Sequence, residues 1–474
     1  MNGQERSGGG QVIRGIIVIL VGVVIWYLPV PTGVKQEAWH LLAIFVATIV
    51  GLILTPISMG AVVILGVMMT VLTGVLKIGP ALSGFANNTV WLIVAAFLIC
   101  RGFIITGLGR RIAFHFIKAF GKKTLGLAYA IEASDLVLAP ATPSNTARAG
   151  GILYPIVRSL CSTFGSEPGD TSRKIGSYLM MMEYQGVVVT SAMFMTSCAI
   201  NPLVVELAKK TANVSLSWGT WALAAIVPGL ISLIIVPYLL YKLYPPGIKE
   251  TPQASQMAQN ELEKMGPIKQ KEKMMIAVFL VVLVLWVTAE WNKIDATVVA
   301  LVGVSIMLIT GVIRWDDVLA EKGAWDALIW FGGLVMMAGQ LNTLGLMKWF
   351  ANTAGSSMAG MGWFSALIVL ILVYFYSHYG FASLMAHATA LFPPFLAVII
   401  AAQAPPYIAA LTLAFFSSLC AGITHYGTGP APIYFNAGYV DQKTWWKFGL
   451  IISFVNIAIW MGVGFPWWKV LGLW

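Results

Sequence analysis

Long apolar runs recur along almost the whole chain, and they constrain its fold more than any other feature. They begin at residues 12–28 and continue to residues 448–474, and many approach the ~20 residues that a helix needs to cross a bilayer. Only 10% of the residues are charged, whereas soluble proteins carry about 25% charged residues. We therefore predict an all-α polytopic membrane protein whose main partner is the lipid bilayer.

Hydropathy predicts about eleven transmembrane helices, together with two segments that do not fit a simple crossing. The predicted spans cover residues 12–31, 38–56, 59–77, 89–106, 176–208, 218–244, 273–290, 296–313, 326–345, 405–436 and 446–470.

The formal net charge of +10 is carried by Lys and Arg residues in short loops, which is the pattern of the positive-inside rule. It does not indicate a nucleic-acid partner. Basic clusters at residues 110–123, 158–174 and 249–273 are expected on the cytoplasmic side, as is the N-terminus with Arg6 and Arg14. We expect a multi-pass protein of the cell inner (cytoplasmic) membrane with a periplasmic or extracellular C-terminus.

The four cysteines are predicted to be packing residues, because they are widely separated and lack the spacing of a metal site or a disulfide framework. The sequence also lacks a His/Asp/Glu cluster at metal spacing and a His-x4-Asp pattern. We therefore expect no metal, no cofactor and no enzyme activity. The alternative from another functional class is an intramembrane enzyme, such as an acyl or phosphoryl transferase.

The stretch "LAPATPSNTARAGG" at residues 138–151 predicts a re-entrant helical hairpin at about 124–157. The residues between Lys123 and Arg158 are too few for two crossings and a turn. Basic residues flank both ends, so the chain enters and leaves on one face, with the tip near residues 143–146. Non-helical backbone at that depth is tolerated only inside protein or beside a wet cavity.

A second hairpin is predicted at about 363–402, entering from the opposite face. It breaks at Tyr379-Gly380 and around Ala386-His387-Ala388. No Asp, Glu, Lys or Arg occurs from Trp349 to Val440, so the histidines are the titratable groups of this region near neutrality.

The order of elements repeats on either side of a polar linker, which predicts an inverted repeat with a substrate site near the midplane. Thr196 precedes Pro202 in a first broken span as Thr424 precedes Pro430 in a second. The predicted organisation is listed by residue range: 1–88, N-terminal scaffold helices; 89–245, first repeat with its broken span at about 176–208; 246–272, cytoplasmic linker; 273–325, scaffold helices; 326–474, second repeat with its broken span at about 405–436.

Neutral polar groups at the breaks predict a site for a small, oxygen-rich anion. Broken helices present backbone N–H groups with partial positive charge, and glycines permit close approach of the backbone. The candidate hydroxyl and amide side chains, with the glycine and prolines beside them, are Ser144, Asn145, Thr146, Thr196, Asn201, Pro202, Thr428, Gly429 and Pro430.

Several ionisable or polar residues near the breaks have two interpretations. Arg148 either snorkels or takes part in gating or charge balance. His425 either packs against its neighbours or takes part in gating or charge balance, and Thr389 is a further candidate for that role. The intramembrane acids Glu132, Asp135 and Glu183 are expected to pair with Arg148 or Arg101 outside the pocket. His387 is placed opposite Asn145 in the repeat, where it could donate to a carboxylate.

The strings "TGLGRRIA", "LAPATPSNTARAGGILYP", "RKIGSYLMMM" and "YGTGPAPIYFNAGYV" resemble the divalent anion:sodium symporter family, nearly end to end. The similarity is closest to its antiporter branch, the citrate:succinate and tartrate:succinate exchangers and the oxoglutarate:malate translocators. The resemblance implies a homodimer with scaffold and transport domains, an elevator-like movement and a di- or tricarboxylate held by both hairpin tips and both broken spans.

The family signature is Ser-Asn-Thr at both hairpin tips, and this sequence departs from it at the second tip. The second copy aligns with Ala386, His387 and Ala388, which are then expected to contact substrate. The loss of two hydroxyls there favours sodium-independent exchange, with the imidazole balancing substrate charge. A sodium- or proton-coupled symporter and a passive anion channel stay open, as does the choice among citrate, tartrate, succinate, malate and oxoglutarate.

Overall fold

A computed structural model describes residues 8–357 and 362–474, so the first seven residues of the predicted N-terminal scaffold region lie outside the described residues. Within these ranges the chain is helical and contains no β-strand, as predicted. The helices of the first half are α1 Gly8–Tyr27, α2 Gln36–Leu54, α3 Met59–Leu72, α4 Ile78–Leu82, α5 Asn88–Thr106, α6 Leu108–Phe120, α7 Thr124–Leu138, α8 Tyr154–Thr163, α9 Gly176–Met193, α10 Ile200–Ala212, α11 Trp218–Leu243 and α12 Pro252–Met265.

The polar linker contains α12, and the second half of the chain follows it. Its helices are α13 Gln270–Val287, α14 Ala289–Asn292, α15 Ala296–Ile309, α16 Trp315–Ala320, α17 Lys322–Thr343, α18 Leu346–Ser357, α19 Trp363–Ser377, α20 Leu384–Ala401, α21 Pro406–Leu419, α22 Pro430–Asn436, α23 Gln442–Gly462 and α24 Gly464–Val470.

Nine helices of the described chain are long and apolar enough to cross a membrane, and α3 and α15 are shorter apolar helices. The nine include both arms of the second predicted hairpin. They do not include α9 or α13, both of which were predicted as spans. Helix α9 carries Glu183 and Gln185, which lower its mean hydropathy, whereas α13 begins with three charged residues, Lys271, Glu272 and Lys273.

The described chain forms two compact units. Unit 1 is built from the described residues of Met1–Val94, Pro202–Leu216 and Lys322–Ala414, and unit 2 from Ala95–Asn201, Ser217–Glu321 and Phe415–Trp474. The predicted domain ranges, and the division into scaffold and transport domains, stay a prediction.

In unit 1, α17 packs against α3 and against the 3-10 turn Ser83–Ala86. The backbones approach closely there, because a Cβ atom on Gly84 would lie 1.9 Å from the carbonyl oxygen of Gly332. Helix α20 packs against α18, α19 and α2 in the same unit. The second hairpin is thus held by helices on several sides.

In unit 2, α9 is the central helix, and all of its residues are buried. It packs against α7, α8, α11 and α22. Two of its polar side chains are hydrogen-bonded inside the unit: the Tyr184 hydroxyl donates to the carbonyl oxygen of Ala421 (2.6 Å) and Gln185 Nε2 donates to that of Gly422 (2.9 Å). This explains how so polar a segment can occupy a membrane protein core.

Both predicted hairpins are present as pairs of helices joined by a short non-helical tip. Hairpin 1 (residues 124–163) consists of α7, a 3-10 turn at Ala139–Ala141, a non-helical tip at 142–144, a π-helical segment at Thr146–Leu153 and α8. Hairpin 2 (residues 363–401) consists of α19, a 3-10 turn at His378–Gly380, a non-helical tip at 381–383 and α20. The predicted second break around Ala386–Ala388 is wrong, because these residues are helical: Ser383 caps α20 and its side chain accepts from the backbone N–H of Ala386 (3.4 Å).

The two broken spans are also present. The first break covers residues 194–199, between α9 and α10, and the second break covers residues 424–429, between the 3-10 turn Cys420–Ile423 and α22. In the helices before the hairpins, the Thr106 hydroxyl donates to the Gly102 carbonyl (2.7 Å) and that of Thr343 donates to the Gly339 carbonyl (3.0 Å).

Candidate substrate site

The tip of hairpin 1 presents neutral polar groups at the start of a helical segment. Ser144 Oγ accepts from the backbone N–H of Ala147 (3.1 Å) and so caps the segment. Asn145 is 7% exposed, and Ser144 and Thr146 are half-buried beside it. The tip therefore offers hydroxyl, amide and backbone N–H groups, which suit a carboxylate.

The second break meets this tip within unit 2. Asn145 Nδ2 donates to the Thr428 hydroxyl over 3.1 Å. A Cβ atom on Gly429 would lie 2.1 Å from the Thr146 hydroxyl oxygen, so a side chain at this position would displace that hydroxyl. Pro430 is buried in the first turn of α22, where its missing N–H costs nothing. The sequence-predicted residues Asn145, Thr146, Thr428 and Gly429 are thus brought together.

The polar side chains at the first break form hydrogen bonds inside the protein. The Thr196 hydroxyl donates to the carbonyl oxygen of Pro140 (2.6 Å) and accepts from Trp218 Nε1 (3.0 Å). Asn201 Nδ2 donates to the carbonyl oxygens of Ser191 (2.7 Å) and Phe194 (2.8 Å).

The Asn201 side-chain oxygen is also engaged, because the Ser418 hydroxyl donates to it (2.8 Å). Pro202 lies in the first turn of α10 and is buried. In this structure Thr196 and Asn201 fix the shape of the break, and their predicted contact with substrate stays a prediction.

Arg148 lies inside unit 2 and does not snorkel. Its side chain is 0% exposed, and Nε donates to Asp135 Oδ1 over 2.6 Å. The remaining guanidinium nitrogens donate to the carbonyl oxygens of Thr142 (3.1 Å) and Ser197 (2.8 Å) and to the hydroxyls of Thr190 (3.1 Å) and Ser191 (3.3 Å). The predicted pairing of Arg148 with an intramembrane acid is confirmed for Asp135.

The other intramembrane acids do not share that guanidinium. Both carboxylate oxygens of Glu132, and Oε1 of Glu183, are buried without a hydrogen-bond partner among the described residues. Arg101 lies 3.9 Å from Asp317, which is a looser ion pair elsewhere in unit 2.

His387 is fully buried in unit 1. Its Nε2 lies 3.0 Å from the carbonyl oxygen of Tyr374 and 2.9 Å from the Ser377 hydroxyl. Ala388 and Thr389 follow it in α20 and are also buried. The predicted substrate contacts of Ala386, His387 and Ala388 stay a prediction, as does a gating role for Thr389.

His425 belongs to the second break and is held by aromatic neighbours in unit 2. Its Nδ1 accepts from Trp446 Nε1 (2.9 Å), and its ring centroid lies 4.4 Å from that of Phe435. These contacts account for its packing, and its gating role stays a prediction.

The backbone gives the two hairpins a different register from the one predicted. The helices before the two tips, α7 and α19, have 15 residues each, and the 3-10 turns that follow them have 3 residues each. Ser144 and Ser383 follow as caps, without an insertion or deletion. Ser383-Leu384-Met385 is therefore the counterpart of Ser144-Asn145-Thr146, and His387 is the counterpart of Arg148.

The register of the broken spans also differs from the prediction. The spacing of Thr196 and Pro202 matched them to Thr424 and Pro430, but α10 begins at Ile200, two residues before its proline, whereas α22 begins at Pro430. Aligned residue by residue, the two six-residue breaks therefore match Thr196 with Tyr426 and Cys198 with Thr428. Aligning "SLMAHA" on "SNTARA" in the sequence would have revealed the hairpin register.

Comparisons with known proteins agree on one family. The family described as the sodium:sulfate symporter transmembrane region matches residues 10–474. The protein named "Putative malate transporter YflS" of Bacillus subtilis (strain 168) is 55% identical over 99% of both chains. Dicarboxylate transporter 1, chloroplastic, of Arabidopsis thaliana is 48% identical over 98% of this chain and 84% of its own. The crystal structure of the Alcanivorax borkumensis YdaH transporter covers 98% of this chain and 99% of its own with a TM-score of 0.52, and at 11% identity it shows a similar fold alone.

Proposed function

The chain belongs to the sodium:sulfate symporter family of membrane transporters, and from this premise we propose that it exchanges dicarboxylates across the cell inner membrane without sodium. The names of its relatives, a malate transporter and chloroplastic dicarboxylate transporters, support the substrate class. The homodimer and the elevator-like movement implied by the resemblance belong to the same proposal.

The meeting of Asn145 with Thr428 carries the proposal. It joins the hairpin 1 tip to the second break through neutral groups, beside the hydroxyls of Ser144 and Thr146. Neutral donors at a helix start bind an anion without the desolvation cost of a second free charge. We assign carboxylate binding to Ser144, Asn145, Thr146, Thr428 and Gly429.

The composition of the hairpin 2 tip supports the absence of sodium coupling. Leu384 and Met385 occupy the positions that correspond to Asn145 and Thr146, so two side-chain oxygen ligands are missing. Hard cations require oxygen ligands. The register of hairpin 2 differs from the one predicted from sequence. Both registers replace polar tip residues with residues that lack a side-chain oxygen, so both lead to the expectation of a weakened sodium site.

Exchange follows from the charge of the empty site. Helix starts and donors that lack an anion leave a positive potential, which is costly to move through hydrocarbon, and a bound dianion reduces this cost. Purified protein in proteoliposomes should take up labelled succinate or malate only when the vesicles contain dicarboxylate, irrespective of a sodium gradient. Sodium-driven uptake into empty vesicles would favour the symporter, and unsaturable flux without stimulation by internal substrate would favour a channel.

Asn145→Ala tests the site itself. We expect at least about a 100-fold loss of exchange, because the substitution removes an amide that binds a charged oxygen and uncouples the tip from Thr428. Asn260→Ala, on the exposed face of α12, is the matched control and should exchange normally. Unchanged KM and rate in Asn145→Ala would remove the residue from the site. A competition panel with citrate, tartrate, malate and oxoglutarate against labelled succinate would then identify the preferred substrate.

A further inference from the structure

We propose that Arg148 and His387 are matched positioning residues. Each one holds the helical segment after the tip of its own hairpin against the helix before the tip, as a brace. Neither is a ligand for the transported anion. The transport readout of this proposal rests on the proposed function, but its structural readout does not.

The backbone of the two hairpins places Arg148 and His387 at equivalent positions. Each residue's backbone N–H donates to the carbonyl oxygen of the capping serine, Ser144 (3.0 Å) or Ser383 (3.1 Å). Each side chain then reaches back to a residue 13 positions earlier, Asp135 or Tyr374. Both side chains bridge the same sequence separation across tips of the same length, and we infer that they have the same structural function.

The brace of hairpin 1 is ionic. Arg148 binds Asp135 on the outgoing helix and the carbonyl oxygen of Thr142 in the tip itself. Asp135 also accepts from the Thr190 hydroxyl of α9. Because all five N–H directions of the guanidinium are engaged, it has no donor left for substrate, and it fixes the non-helical residues between the two arms.

The brace of hairpin 2 is neutral. A carbonyl oxygen only accepts, so the short contact with Tyr374 places the proton of the neutral imidazole on Nε2, which also faces the Ser377 hydroxyl. That hydroxyl itself donates to the Tyr374 carbonyl (2.7 Å). The rings of Tyr374, His378 and Phe381 surround the imidazole with centroid distances of 4.5, 4.9 and 5.0 Å. This environment holds a donor in place and does not direct it outwards.

Hydrogen–deuterium exchange of the whole protein in detergent tests the braces directly. His387→Ala should speed exchange in the peptide covering residues 381–386 and leave residues 142–147 unchanged, whereas Arg148→Ala should do the reverse. His387→Gln keeps an N–H donor and should restore protection. His115→Ala, on the exposed surface of α6, is the matched control and should alter neither tip.

Transport provides the second measurement. His387→Ala should lower the rate of dicarboxylate exchange about tenfold, the effect of losing one or two hydrogen bonds, and His387→Gln should recover most of it. A raised KM with unchanged maximal rate and unchanged tip protection would instead make His387 a ligand and overturn the proposal, as would a Gln variant no better than Ala. If the wild-type protein exchanges no dicarboxylate, the proposed function fails, and the protection of the two tips still decides the braces.

Discussion

Hairpin 1 and hairpin 2 follow the same backbone course as far as the capping serine but hold it with different chemistry. In hairpin 1, Arg148 is paired with the Asp135 carboxylate, and the tip carries Asn145 and Thr146. In hairpin 2, a neutral His387 binds a backbone carbonyl, and the tip carries Leu384 and Met385. The polar tip has the ionic brace, and the apolar tip has the neutral one.

This difference shows which part of a re-entrant hairpin sets its shape. The shared parts are the 3-10 turn, the capping serine and the side chain that spans the tip, whereas the two residues after the serine differ completely. The backbone groups freed by the break must be satisfied locally in a membrane. The residues after the cap are thus available for function, and hairpin 1 retains polar groups there.

Among the substitutions that test this comparison, Asp135→Asn should have the largest effect on the unfolding free energy. It leaves the Arg148 charge buried without a counterion, which typically costs 3–5 kcal/mol, here expected as about 4 kcal/mol of unfolding free energy. Thermal and chemical unfolding in detergent would measure the loss. Asp170→Asn, at an exposed position, is the control. A variant within about 1 kcal/mol of wild type would show that the pair contributes little, and hairpins 1 and 2 would then be equally independent of charge.

The sequence predicts the hairpins better than their register. Hairpin 1 is predictable because Lys123 and Arg158 enclose a stretch too short for two crossings. The register of hairpin 2 is not found by matching polar residues, because its tip is apolar and only the capping Ser383 is kept. The contact of Asn145 with Thr428 joins residues 283 positions apart, and such a pairing depends on how α22 packs in unit 2, which hydropathy does not describe.

A second buried arginine–carboxylate pair lies beside the linker. Comparing it with the pair of Arg148 and Asp135 distinguishes the effect of the membrane interior on stability from the effect of burial alone. Arg111 donates to both carboxylate oxygens of Glu272 (2.8 and 3.2 Å) beside the linker, and both side chains are buried. Burial raises the pKa of Glu272, but the hydrogen bonds from Arg111 and the Lys269 backbone outweigh it, so the pKa lies below its usual value. The carboxylate therefore stabilises the fold above its unfolded pKa of about 4.3, and this stabilisation is lost as the pH falls through the lower folded value.

Glu272→Gln should lower the unfolding free energy by about 2 kcal/mol at pH 7, the contribution of hydrogen bonds to a charged group. The difference from wild type should shrink below about pH 4, as the wild-type carboxylate becomes protonated. Unfolding curves of both proteins across this range measure it. A difference that is constant down to pH 3 would show that the charge of Glu272 contributes nothing.

Glu132→Gln should have the smallest effect, although Glu132 lies on the same helix as Asp135. Both of its carboxylate oxygens are buried without a partner among the described residues, and a Cβ atom on Gly186 would lie 2.0 Å from one of them. An ionised carboxylate there would be costly, so the side chain is expected to be a neutral acid. A neutral amide of the same shape should change the unfolding free energy by less than about 0.5 kcal/mol. A loss as large as that of Asp135→Asn would mean that Glu132 is ionised, and hairpin 1 would then contain two buried carboxylates and one buried guanidinium.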